Sequence, residues 1–82
     1  MIQVLLFASL REAAGVERVA LPSDVGSPAG AFEALTRRYP ALTGFRDKLL
    51  VAVNQAFADW NQPLQDGDEV AFFPPVSGGS HP

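Results

Sequence analysis

Asp68-Glu69-Val70-Ala71-Phe72-Phe73-Pro74-Pro75-Val76-Ser77-Gly78-Gly79-Ser80-His81-Pro82 is the stretch that organises the reading of this chain. From Glu69 to Phe73 it has the apolar, aromatic character of a buried strand. A proline pair follows, then a glycine pair, then Ser80-His81-Pro82. Pro74 and Pro75 fix φ, remove backbone donors and lead the chain off any sheet in extended form. Gly78 and Gly79 carry no side chain, so the backbone there can pass through a slot too narrow for other residues. From Val76 to Gly79 an extended chain reaches roughly 13 Å at ~3.3 Å per residue. No core requires this order of strand, Pro-Pro and Gly-Gly. It suits a domain, residues 1–76, whose working part is its own flexible tail, residues 77–82, offered to another protein's active site. An inert, frayed terminus is the plain alternative.

The totals narrow the function classes. Eighty-two residues make one small domain, near the size at which a single core becomes marginal. A hydrophobic content of 48% is too rich for disorder. There is no cysteine, so disulfides and a thiolate nucleophile are excluded, and His81 is the only histidine, so no metal site is expected. No apolar run approaches the ~20 residues of a membrane span. The N-terminus lacks a basic-then-apolar signal segment, and cytoplasm is the expected location. A nucleic-acid binder needs a basic stripe. Here the net charge is −3, and Arg37-Arg38 is the only adjacent pair among six Lys and Arg. Nucleic acid is therefore not an expected partner, whereas a mild acidic excess fits docking onto a basic protein.

Read in order, Ile2 to Ala8 forms a first strand. Ser9 caps a short helix from Leu10 to Ala14 that Gly15 ends. Glu17 to Leu21 alternates and pairs back on the first strand. Ser27 reads as an N-cap with Pro28 at the first helical position. Phe32, Leu35 and Tyr39 recur at helical spacing, Arg37-Arg38 sit in the last turn, and Pro40 ends the helix. Residues 41–48 read as a loop or short turn. Leu49 to Val53 is a third strand, Asn54-Gln55 a tight turn, and Ala56 to Trp60 a short fourth segment. Asp66-Gly67 is a strong turn signal before the last strand, Glu69 to Phe73. This order predicts an α+β fold, one mixed sheet gripping one main helix, with the terminal strands side by side at its centre.

Side chains alternate across a strand. If the helix covers Val4, Leu6, Val70 and Phe72, the opposite face holds Gln3 and Glu69 but also Leu5, Phe7 and Phe73. Large apolar groups on the polar side of a sheet make a candidate partner surface; the alternative is a sheet with both faces buried, the second under loops. Phe57, next to the Asn54-Gln55 turn, extends the candidate surface. Catalytic constellations are missing: Asp66, Asp68 and Glu69 read as solvated turn residues, and Trp60 as core or loop packing. No serine has a histidine partner in a recognisable motif, and there is no glycine-rich phosphate loop. The chain has no evident active site of its own.

The combined pattern Asp66-Gly-Asp-Glu-Val-Ala-Phe-Phe-Pro-Pro-Val-x-Gly-Gly79 is far more specific than any of its pieces. With Val53-Asn-Gln55, Pro63-Leu64, Val4-Leu-Leu-Phe-Ala8 and Arg11-Glu12, it resembles the small subunits of molybdopterin synthase over almost the whole chain. These are ubiquitin-like β-grasp sulfur carriers. The resemblance implies an ATP-dependent, ubiquitin-activating-like adenylyltransferase that activates the terminal carboxylate of Gly79, which becomes a thiocarboxylate. The tail, Pro74, Pro75, Val76, Ser77, Gly78 and Gly79, then enters the large synthase subunit. There the sulfur passes to cyclic pyranopterin monophosphate. It also implies that Phe7, Phe57 and Phe73 contact the large subunit or the activating enzyme, and that this chain itself binds no cofactor or metal. A thiazole-type sulfur carrier and a ubiquitin-like protein modifier share the glycine tail. The double Phe before Pro-Pro favours the pterin branch. One departure is chemical: while Ser80-His81-Pro82 remain, Gly79 ends in an amide that cannot be adenylated. Either a protease removes these residues, or they are an addition to the natural chain, or the chain has another role.

Overall fold

Alternating burial along the terminal strands sets the architecture in the computed structural model, which describes residues 1–75. The elements are β1 (Ile2–Leu6), α1 (Ser9–Ala14), β2 (Arg18–Leu21), α2 (Pro28–Arg38), β3 (Leu50–Val53), β4 (Ala56–Phe57) and β5 (Glu69–Phe73). Short 3-10 segments cover Ser23–Val25 and Pro40–Lys48. The sheet runs β2-β1-β5-β3-β4. Its inner pair, β1 and β5, is parallel, with Val4 opposite Val70 and Leu6 opposite Phe72. All other pairs are antiparallel, which makes the sheet mixed, as expected.

Ile2, Val4, Leu6, Val19, Leu21, Val51, Val53, Val70 and Phe72 form the buried side of the sheet, and Ala31, Phe32 and Leu35 of α2 close on it. Full burial of a side chain of this size stabilises the fold by about 1.5–3 kcal/mol. An aromatic cluster fills the centre. Phe72 meets Phe32 edge-on at 5.2 Å and stacks on Trp60 at 5.5 Å, and the Arg46 guanidinium lies 3.6 Å over the Trp60 ring. Trp60 is thus core packing capped by a cation, a contact that keeps the charge at the surface while covering the indole.

Helix α2 starts as its sequence demands. Ser27 is extended, and its Oγ accepts from the Gly30 N–H at 3.1 Å, with Pro28 at the first helical position. Gly30 is required for a different reason. A methyl group added there would run into the carbonyl oxygen of Val25, whose carbonyl carbon would lie only 3.1 Å away. Glycine lets the 3-10 turn Ser23–Val25 press against the first turn of α2.

The end of the sheet remote from Phe73 is tied by polar bonds. Asn54 and Gln55 both have positive φ, 51° and 70°, as a two-residue type I′ hairpin turn requires. The Asn54 side chain donates to Asp68 at 3.0 Å and accepts from the Glu69 N–H at 3.0 Å. Asp66 pairs with the N-terminal ammonium and accepts from Ser23 Oγ at 2.6 Å. The ammonium, then the Ser23 hydroxyl, hold the Asp66 carboxyl below its ordinary value. The Gln65 N–H, then the Asn54 amide, do the same for Asp68.

Several boundaries differ from expectation. Strand β1 stops at Leu6 because Ala8 turns to φ 53°, ψ −125°, outside the β region. Ser9 is the first helical residue and makes no side-chain cap, so its assignment as cap of α1 is corrected. Residues 40–48 coil into a 3-10 run that buries Leu42 instead of looping. Strand β3 begins at Leu50, and β4 ends at Phe57 because the following chain carries Trp60 under the sheet into the aromatic cluster.

Candidate functional site: an aromatic face at the tail exit

The sheet surface facing away from α2 gathers every second residue of its strands. The register places Leu50 of β3 opposite Phe73 of β5, and Phe57 of β4 opposite Ala52, which itself pairs with Ala71. Leu5 of β1 lies between Ala71 and Arg18. Phe73 is the hub. It meets Phe7 edge-on, with ring centroids 6.4 Å apart, and Phe57 at 6.1 Å. Phe57 is 78% exposed, Phe7 46% and Leu50 39%; Phe73 and Leu5 are half-buried. Among the described residues the only other exposed large apolar side chain is Met1. Exposed aromatic bulk gathered at one place makes this face the candidate functional site.

Phe73 is also the last residue of β5. Pro74, half-buried, and Pro75, exposed, follow immediately, so the chain leaves the sheet from within the aromatic patch. The remaining tail positions singled out from the sequence, Val76, Ser77, Gly78 and Gly79, lie outside the described residues, as do Ser80, His81 and Pro82. Beside Phe7 a cleft of about 270 Å³ is lined by Leu5, Leu6, Arg11, Glu17 and Arg18. Arg11 faces Glu17 at 4.0 Å across it, an exposed pair worth about 0–1 kcal/mol at most.

The structure brings Leu5, Phe7 and Phe73 together on one face, as the parity of the strands predicted, and Phe57 joins them from beyond the Asn54-Gln55 turn. It adds Leu50, which sequence reasoning missed. Leu49 to Val53 is apolar throughout, so alternation within it carries no sign of which side is wet. Only the pairing with Phe73 reveals that Leu50 belongs to the patch. Asp66 and Asp68, spent on turn and hairpin bonds at the other end, take no part. Among the described residues no cluster of His, Cys, Asp or Glu could hold a metal ion, and no helix is long and apolar enough to cross a membrane.

Against known proteins, the ThiS family profile matches residues 4–79. The chain is 44% identical to the molybdopterin synthase sulfur carrier subunit of Escherichia coli, with 96% of this chain and 100% of that one covered. It is 41% identical to the subunit of the same name from Haemophilus influenzae, at the same coverage. Among solved structures, SAMP1 from Haloferax volcanii superposes with a TM-score of 0.77 at 36% identity, covering 95% of this chain and 98% of that one. Sheet order, helix placement and these likenesses agree on a ubiquitin-like β-grasp. The chain belongs to the ThiS family, among the molybdopterin synthase sulfur carrier subunits.

Proposed function

We propose that this chain carries sulfur as a thiocarboxylate on Gly79 and delivers it, tail first, into the large subunit of a molybdopterin synthase, where cyclic pyranopterin monophosphate receives it. The observation that carries the reading is the exit of the Pro74-Pro75 tail from the centre of an exposed aromatic face. Docking of that face places the start of the tail at a fixed point, and the thin Gly78-Gly79 end covers the remaining distance into a buried site.

The chemistry follows from the terminal carboxylate, which is inert to nucleophiles until its oxygen becomes a leaving group. An adenylyltransferase supplies that: a Gly79 carboxylate oxygen bonds to the α-phosphorus of ATP and pyrophosphate leaves. A sulfide-level sulfur then attacks the acyl carbon and AMP departs, leaving the thiocarboxylate. The chain itself holds no cofactor; ATP belongs to the activating enzyme, and the work takes place in the cytoplasm. Phe73, Phe7, Phe57, Leu50 and Leu5 form the contact with the large subunit. Burying such aromatic anchors at an interface is worth about 2 kcal/mol or more each when they are central.

An internal Gly79 has no carboxylate, so Ser80-His81-Pro82 must be absent from the active form. The test gives chains ending at Gly79 and at Pro82 to the activating enzyme with ATP and a sulfur donor. Mass spectrometry is expected to find one oxygen replaced by sulfur in the shorter chain alone. Equal pterin sulfuration by the longer chain, with its last residues still attached, would refute the mechanism.

A further inference from the structure

The turn between β1 and α1 is set by the start of the helix, but it holds a side chain that the fold does not require. Leu10 N–H bonds to the Phe7 carbonyl at 3.1 Å, closing a four-residue turn with Ala8 at its second position. Ala8 there has φ 53° and ψ −125°. These are the angles of the second residue of a type II′ turn, a position normally taken by glycine because a β-carbon on an L-residue is crowded. The Ala8 side chain is exposed and is not among the residues packed on the core. The methyl group therefore burdens the turn and contributes nothing to the interior. It follows directly on Phe7, at the rim of the aromatic face. Non-glycine residues held in such backbone regions concentrate where function requires them.

We propose that the Ala8 methyl group is a contact point of the docking face, seated against the large synthase subunit beside the Phe7 ring. A locking role is disfavoured by the angles themselves. An L-alanine prefers to leave this region, so its β-carbon loosens the turn where a lock would hold it. What remains is the group's own surface, presented outward by a turn that Leu10 and the start of α1 keep closed. The inference rests on the large subunit being the partner, and its test separates the two ideas.

Full-length chains are prepared by chemical ligation as wild type, Ala8→Gly and Ala8→D-Ala, together with Phe73→Ala as a reference for the face. Glycine relieves the strain and deletes the methyl. D-alanine suits these angles even better, being the mirror image of an extended L-residue, but points its methyl elsewhere. Both Ala8 variants are expected to need more urea to unfold than wild type, and both to bind the large subunit about tenfold more weakly by calorimetry. If Ala8→D-Ala binds like wild type, the methyl is not a contact and the inference fails. It fails equally if Ala8→Gly binds within a factor of two of wild type, or unfolds at lower urea. If wild type binds the large subunit neither as the full chain nor as a chain ending at Gly79, or Phe73→Ala binds as wild type does, it is the proposed function that fails.

Discussion

Phe72 and Phe73 are adjacent in sequence and have opposite duties, and truncating each to alanine tests the whole reading. Phe72 has 0% exposure and contacts both Phe32 and Trp60. Removing a buried phenylalanine costs about 3–5 kcal/mol, transfer and cavity together. Loss of aromatic contacts worth about 0.5–1.5 kcal/mol each places this site in the upper half of that range. A domain of this length has roughly 4–12 kcal/mol of total stability, so Phe72→Ala removes a large share of it. With a urea slope of about 1 kcal/mol/M for so small a domain, the midpoint falls by roughly 4 M or more, and the variant is partly unfolded in water if the parent is marginal. Phe73 is half-buried on the open face and bounded by other exposed rings. Phe73→Ala is expected to change stability by less than about 1 kcal/mol and to weaken large-subunit binding by about 2 kcal/mol, roughly thirtyfold. Urea titrations followed by circular dichroism, with calorimetry for binding, separate the outcomes. Equal loss of stability in both variants would refute the assignment of faces, and so would a Phe72→Ala chain that folds as well as wild type.

Gly30→Ala should destabilise the chain by about 1–3 kcal/mol, read as a lower melting temperature, because the added methyl meets the Val25 carbonyl. An unobstructed helical glycine would instead gain about 0.5–1 kcal/mol from the same change, and that result would show Gly30 to be dispensable. The acid limb of stability has a defined sign. Asp66 and Asp68 are held below their ordinary value of 3.8 in the folded chain, so the unfolded chain binds protons first as pH falls. Their contribution is complete above the unfolded value and lost as pH drops through the folded one. Urea midpoints should therefore decline below about pH 4, and less steeply in Asp68→Asn. A midpoint that rises on acidification through that range would contradict the hydrogen bonding described for both carboxyls.

Much of this protein is written in local pattern. Alternation along Ile2–Leu6 and Glu69–Phe73 separates Val4, Leu6, Val70 and Phe72 from Leu5 and Phe73, because a strand's side-chain period is 2 in any context. Ser27-Pro28 starts the helix, and Asn54-Gln55 and Asp66-Gly67 turn the chain, through chemistry contained within a few residues. Pro74-Pro75 end β5 at Phe73 for the same reason. Other features exist only once distant segments meet. Leu50 joins the patch because β3 pairs with β5 in one register, and Trp60 leaves the sheet to stack on Phe72 and meet Phe32 edge-on. Gly30 is obligatory because the Val25 carbonyl packs onto it, and Ala8 is crowded because α1 must begin one residue later. None of these four could be read from its neighbours, since each is decided by steric contact or strand pairing. Sequence periodicity records which side of an element is apolar; only the packed chain decides what each side touches.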